Sequence, residues 1–149
     1  MKSKLHRHLL IGTAALSFFI HTGHAAVFNW DASGTDPLDD GGGTWAATVG
    51  TNWYNNSSLN YGAWSNTSAD EAVFGANNGA AGTIAVTGTV IANKLTFNAA
   101  GSGTYTVSGG TAISLGGTTP TITVKADAAI GSVLAGSAGM IKNGSGTLP

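Results

Sequence analysis

From about residue 83 onward the chain is a series of short segments in which apolar residues alternate with small polar ones. Thr83-Ile84-Ala85-Val86-Thr87 and Lys94-Leu95-Thr96-Phe97-Asn98 alternate cleanly. Tyr105-Thr106-Val107, Ala112-Ile113-Ser114-Leu115 and Thr121-Ile122-Thr123-Val124-Lys125 repeat the pattern, and Val133-Leu134 and Met140-Ile141-Lys142 continue it more weakly. A period of two places every second side chain on one face, so these segments read as half-buried strands. The separators are glycine-rich: Gly79-Ala80-Ala81-Gly82, Gly101-Ser102-Gly103, Gly109-Gly110, Gly116-Gly117 and Gly136. Glycine suits tight turns because it adopts positive φ at little cost. Counted from Ile84, the anchors Leu95, Tyr105, Ile113, Ile122, Val133 and Ile141 recur at intervals of roughly 8–12 residues, the spacing of short strands joined by turns. Ala128–Gly139 is the one helical candidate, and Gly131, Gly136 and Gly139 make it a poor one. The fold class is all-β.

Strands at this spacing fit a β-sandwich or barrel as well as a solenoid of stacked coils. The abundance of Ala, Ser, Thr, Val and Ile favours the solenoid, since small and branched side chains stack well in narrow parallel coils. Cysteine is absent, so burial and hydrogen bonding alone must hold the fold.

The first residues carry a different signal. Met1–His8 is basic, with Lys2, Lys4 and Arg7, and Leu9–Ile20 is uncharged throughout. A spanning helix needs about 20 apolar residues, so this shorter run suits the core of a secretory leader. Gly23-His24-Ala25 puts small residues at −3 and −1, which predicts cleavage after Ala25 rather than after Ala26. The leader, residues 1–25, takes all four histidines and the only arginine with it. What remains has three lysines against seven acids, a formal charge of −4, and no predicted membrane span. That charge argues against nucleic acid, whose phosphates call for clustered Lys and Arg, and against anionic membrane surfaces.

Residues 26–78 hold all four tryptophans, two of the three tyrosines and six of the seven acids, whereas 79–149 is the Gly/Thr-rich strand region. Trp30, Trp45, Trp53, Tyr54, Tyr61 and Trp64 offer flat faces for sugar rings, with Asn52, Asn55, Asn56 and Asn60 to bond hydroxyls. The competing reading, which base rates favour, is an aromatic cap over the open end of a solenoid. Asp36-Pro37-Leu38-Asp39-Asp40-Gly41 clusters oxygen ligands but lacks the EF-hand pattern, with Leu38 third and Ala47 twelfth; it reads as a solvated acidic turn. We therefore expect no metal and no cofactor. Without histidine or cysteine, triads built on either residue are excluded. Asp39/Asp40 and Asp70/Glu71 are adjacent, so in extended chain each pair points to opposite faces and makes no local acid–base site. The chain reads as non-catalytic.

Ile141-Lys142-Asn143-Gly144-Ser145-Gly146-Thr147-Leu148 resembles the opening of the autotransporter-associated β-strand repeat, which reads like K-x-G-x-G-T-L; here Lys142, Gly144, Gly146, Thr147 and Leu148 carry it. Asn29-Trp30-Asp31, Thr44-Trp45, Asn52-Trp53 and Asp70-Glu71-Ala72-Val73-Phe74 also fit proteins bearing that repeat. The resemblance implies a right-handed parallel β-helix, exported and displayed or released at a bacterial cell surface as a structural or adhesive passenger. Its implied partners are surface polysaccharide or other cell-surface components, and its own longer continuation past a repeat begun at 141–149. In a bacterial protein the sequons Asn56-Ser57-Ser58, Asn66-Thr67-Ser68 and Asn143-Gly144-Ser145 are simply exposed loops. The alternatives are a carbohydrate-binding module using the Trp-rich region and a fragment of a β-helix polysaccharide-degrading enzyme. With its last coil uncovered, the chain from about Gly136 is expected to be poorly ordered.

Overall fold

The computed structural model describes residues 25–149. The expected leader therefore lies outside the described residues, apart from Ala25 at its edge. Fourteen strands and no helix make up the described chain. The first five are β1 (Val27–Trp30), β2 (Gly43–Ala46), β3 (Trp53–Asn55), β4 (Asn60–Gly62) and β5 (Glu71–Phe74). Then come β6 (Thr83–Thr87), β7 (Thr89–Ala92), β8 (Lys94–Phe97), β9 (Tyr105–Gly109), β10 (Ala112–Leu115) and β11 (Thr121–Val124). Three short strands close the series: β12 (Ala128–Ile130), β13 (Leu134–Ala135) and β14 (Ile141–Asn143).

The strands stack into three sheets, ordered β14-β11-β8-β5-β1-β3-β4, β12-β9-β6-β2 and β13-β10-β7. Successive members of the repeating part pair in parallel, giving a β-solenoid of about three turns. Parallel ladders joined coil to coil exclude the sandwich alternative, in which neighbouring strands run antiparallel. One full coil runs from Glu71 to Lys94, its partner in the next strand of the ladder. The weak helical candidate Ala128–Gly139 is instead β12 and β13, paired with β9 and β10.

Alternation now has a physical meaning. Phe28, Ala72, Leu95 and Ile122 lie side by side across four strands, and all four face the core. Ile84 and Val107 form a second inward column, Val90 and Ile113 a third. Fully burying each large apolar side chain is worth about 1.5–3 kcal/mol relative to exposure. The alternate members face outward: Thr83 beside Thr106, and Ala85 beside Ser108. Corners are tight. Gly88, at φ +67°, alone separates β6 from β7. Asn93 alone separates β7 from β8, and its Nδ2 donates to Gly116 O at 2.7 Å, satisfying a carbonyl of the next coil.

The two ends differ. At one, the chain leaves the solenoid path, and β3 and β4 add as an antiparallel hairpin outside β1. At the other, β14 lies on β11 in parallel register, Ile141 against Thr121 and Asn143 against Thr123. The backbone finds partners in β11, and Gly146 N donates to Val124 O at 2.8 Å. The side chains do not: Val133, Leu134, Met140 and Ile141 stay exposed.

Candidate functional site

The aromatic residues of the first half converge on one cluster. Trp45, Trp53 and Trp64 meet pairwise with ring centroids 4.8–5.3 Å apart. Trp30 joins through Trp53 at 5.2 Å and Phe28 through Trp64 at 5.2 Å, mostly edge to face. Such contacts add to the burial energy because the positive ring edge meets the negative face. Phe74 continues the cluster into the coils, stacked on Phe97 at 5.0 Å. Trp30, Trp45 and Trp64 have 0% of their surface exposed and Trp53 has 2%, so no indole face is free for a sugar ring. Trp30 Nε1 donates to Gly41 O at 3.0 Å and Trp64 Nε1 to Ile91 O at 2.9 Å. Trp45 Nε1 is buried without a partner.

Tyr54 and Tyr61 stand apart from that cluster. They are opposite one another in the β3–β4 pair, next to Asn29 of β1, with rings 5.1 Å apart. Both are half-buried. Asn29 Nδ2 donates to Asn56 Oδ1 at 3.0 Å, Asn52 Nδ2 donates to the carbonyls of Asp31 and Ala32, and Asn55 Oδ1 accepts from Ser57 N. Ser58 Oγ donates to Asn60 Oδ1 at 2.6 Å. The asparagines of this region thus largely bond one another and the local backbone.

The acids are the buried polar side chains that sequence reasoning misses. Asp31, Asp40 and Asp70 are all buried. Asp31 Oδ1 accepts from Ser33 N, Ser33 Oγ and Gly34 N at 2.8–2.9 Å, closing the turn after β1. The short Asp-x-Ser-Gly spelling is the cue for this local bond. Its Oδ2 and the Tyr61 hydroxyl are both buried and neither makes a well-shaped hydrogen bond. Burial, then the neighbouring Asp31 carboxylate, push the Tyr61 phenol up to about 12. Asp40 corrects the solvated-turn reading. It is an internal acceptor, taking Tyr105 Oη at 2.9 Å through Oδ1 and Gly79 N at 2.9 Å through Oδ2, while Asp39 stays exposed. Burial and then Asp40 raise the Tyr105 phenol. Glu71 accepts from Thr96 Oγ1 at 2.6 Å, so Asp70 and Glu71 serve different partners. Among the described residues no three His, Cys, Asp or Glu side chains are grouped to hold a metal ion.

The repeat-like residues are explained by close approach. Gly144 sits at φ +83°, and a Cβ there would lie 2.2 Å from Val124 O. A Cβ on Gly146 would meet the Ala126 carbonyl carbon at 2.7 Å. Lys142 Nζ donates to Gly146 O at 2.7 Å, Thr147 N donates to Asp127 Oδ1 at 2.7 Å, and Leu148 packs half-buried against the core. Beside them Leu115, Leu134, Ala135, Gly136, Gly139 and Met140 line a shallow, mainly apolar groove at the open end.

The sequence of the chain has a relative among known proteins. The chain is similar to an autotransporter adhesin. It is 38% identical over 123 residues to the adhesin BmaC autotransporter of Brucella suis biovar 1 (strain 1330), which takes in 80% of this chain. The chain spans about 3% of the length of that curated relative. No family profile matches the chain, and no solved structure matches it significantly. The likeness supports an autotransporter passenger relationship.

Proposed function

We propose that this chain is an exported, adhesive passenger segment displayed at or released from a bacterial surface, with a leader removed after Ala25 and no reaction of its own. The observation that carries the reading is the 38% identity to an adhesin across 80% of the chain. The fold supports it. Parallel coils present rows of Thr83, Ala85, Thr87, Thr106 and Ser108 on an uncharged outer face, which suits weak, multiple contacts with hydroxyl-rich cell-surface components such as polysaccharide. The Trp-rich region acts as the cap of the first coil, with its indoles turned to the core. Lys142–Leu148 begins a further coil that would cover Leu134, Met140 and Ile141.

Two measurements test this. Protease added to intact cells producing the chain should degrade it while a cytoplasmic marker survives; protection of the chain would end the passenger reading. Beads coated with the purified chain should be retained on polysaccharide-bearing cells above albumin-coated beads. Equal retention would remove the adhesive role.

A further inference from the structure

Ala26 is held from both sides. Its N–H donates to Asp70 Oδ1 at 2.8 Å, and its carbonyl accepts from Glu71 N at 2.9 Å. From that point the β1–β5 ladder begins, with Val27 against Glu71. Asp70 is 5% exposed. Its Oδ2 accepts from Ser65 Oγ and from Thr67 Oγ1, the latter at 2.7 Å. Among the described residues no cationic side chain pairs with it. A buried carboxylate held only by neutral donors is costly to keep charged, and a positive partner would relieve that cost. Ala25, one residue earlier, is exposed.

We propose that processing supplies this partner: the α-ammonium group released on Ala26 by leader cleavage pairs with the buried carboxylate of Asp70. The inference rests on the export reading above. In the step, a leader peptidase adds water across the Ala25–Ala26 peptide bond. The C–N bond breaks, a C–O bond forms on the Ala25 carbonyl, and the leaving amine takes up a proton. A neutral donor at 2.8 Å from Asp70 Oδ1 then becomes a charged one in the same place, and charge-assisted hydrogen bonds are the stronger kind. Maturation in this way fastens the first strand of the solenoid to the next coil. Of the two candidate termini, Ala26 is the one that keeps these contacts. Cleavage one residue later, after Ala26, would delete both the bond to Asp70 and the bond from Glu71.

The test uses the full chain exported with its own leader. N-terminal sequencing of the exported protein should begin at Ala26. Acetylating that α-amine keeps an N–H but removes the charge, and should lower the thermal midpoint by about 5 °C, the shift expected for one charge-assisted bond in a domain of this size. In Asp70→Asn the acetylation shift should vanish. If that variant does not fold, the chain begun at Ala25 should match the acetylated protein, because its charge sits one residue away. A mature terminus at Val27, or an acetylation shift of zero, overturns the ion pair and leaves the export reading standing. A chain retained in the cell with its leader intact overturns both.

Discussion

The residues before and after Asn78 solve the same problem, closing a narrow parallel stack, by opposite means. After it, each coil repeats its neighbour: Leu95 lies beside Ile122, Val107 beside Ile84, Ile113 beside Val90. No one side chain is special there, since a column shares its burial among several members. Before it, a few large rings and buried acids make contacts that occur once each. β2 pairs in parallel with β6, Gly43 against Ile84, across an intervening stretch of chain that includes the β3–β4 hairpin. Stability that is distributed should degrade gradually under substitution, whereas stability that is concentrated should fail abruptly.

Trp53→Ala gives the largest expected effect. The ring touches Trp30, Trp45, Trp64 and Phe74, and truncating a core aromatic costs about 3–5 kcal/mol. Denaturant titration followed by tryptophan fluorescence should show the midpoint falling sharply or the native baseline lost. Ile113→Val, in the middle of a coil column, should cost only about 0.5–1.5 kcal/mol. Similar losses for the two would erase the distinction between the halves.

Two glycines sharpen the comparison within the coils. Gly88 and Gly75 both have positive φ, +67° and +77°. A Cβ on Gly88 meets nothing within 4 Å, while on Gly75 it would lie 2.7 Å from Asn98 O. Gly88→Ala should cost about 1–2 kcal/mol from backbone strain alone. Gly75→Ala adds a collision with backbone of the next coil and should be clearly worse. Equal thermal midpoints for the two variants would show that the coils are freer to separate than their packing implies.

Much of the second half is legible in the sequence because its rule is local. Thr83–Thr87 and Ala112–Leu115 are strands with the bounds their alternation indicates. The coil period is not legible. The anchor spacing counts strands rather than coils, and β7, a separate strand after the single corner residue Gly88, falls between the anchors Ile84 and Leu95. The handedness, implied by the resemblance, and the cap role, favoured by base rates, do not follow from spacing at all. In the first half, contacts such as Tyr105 with Asp40, 65 residues apart, leave no local trace. Asp40 looks like a solvated acid because its neighbours are Asp39 and Gly41; only the packed coil shows that it is an internal acceptor. Base rates favour a cap over sugar stacking for the indoles, but a count of aromatics alone does not separate those uses.

Tyr105→Phe would tie the halves together, since it removes the donor from a carboxylate that Gly79 N still holds. One buried acceptor left short of a partner costs about 1–3 kcal/mol. Loss of far less, measured by urea unfolding, would mean that water replaces the phenol and that Asp40 is not sealed.

The smallest effect is alkaline. Tyr61 titrates at about 12 in the folded chain and near its ordinary value of 10 when unfolded. A raised folded value means that its contribution is complete below pH 10 and is lost between about pH 10 and 12, as the unfolded chain releases its proton first. Tyr105 is shifted the same way, so the two reinforce one another. Both phenols owe their shift first to burial and then to an acid of the first half. Tyr61→Phe should therefore flatten the loss across that window without changing stability at neutral pH by much, because its hydroxyl makes no well-shaped hydrogen bond there. A slope that survives in the double variant with Tyr105→Phe would have to come from other groups, and the contacts of these two phenols with Asp31 and Asp40 would then not set the alkaline limit.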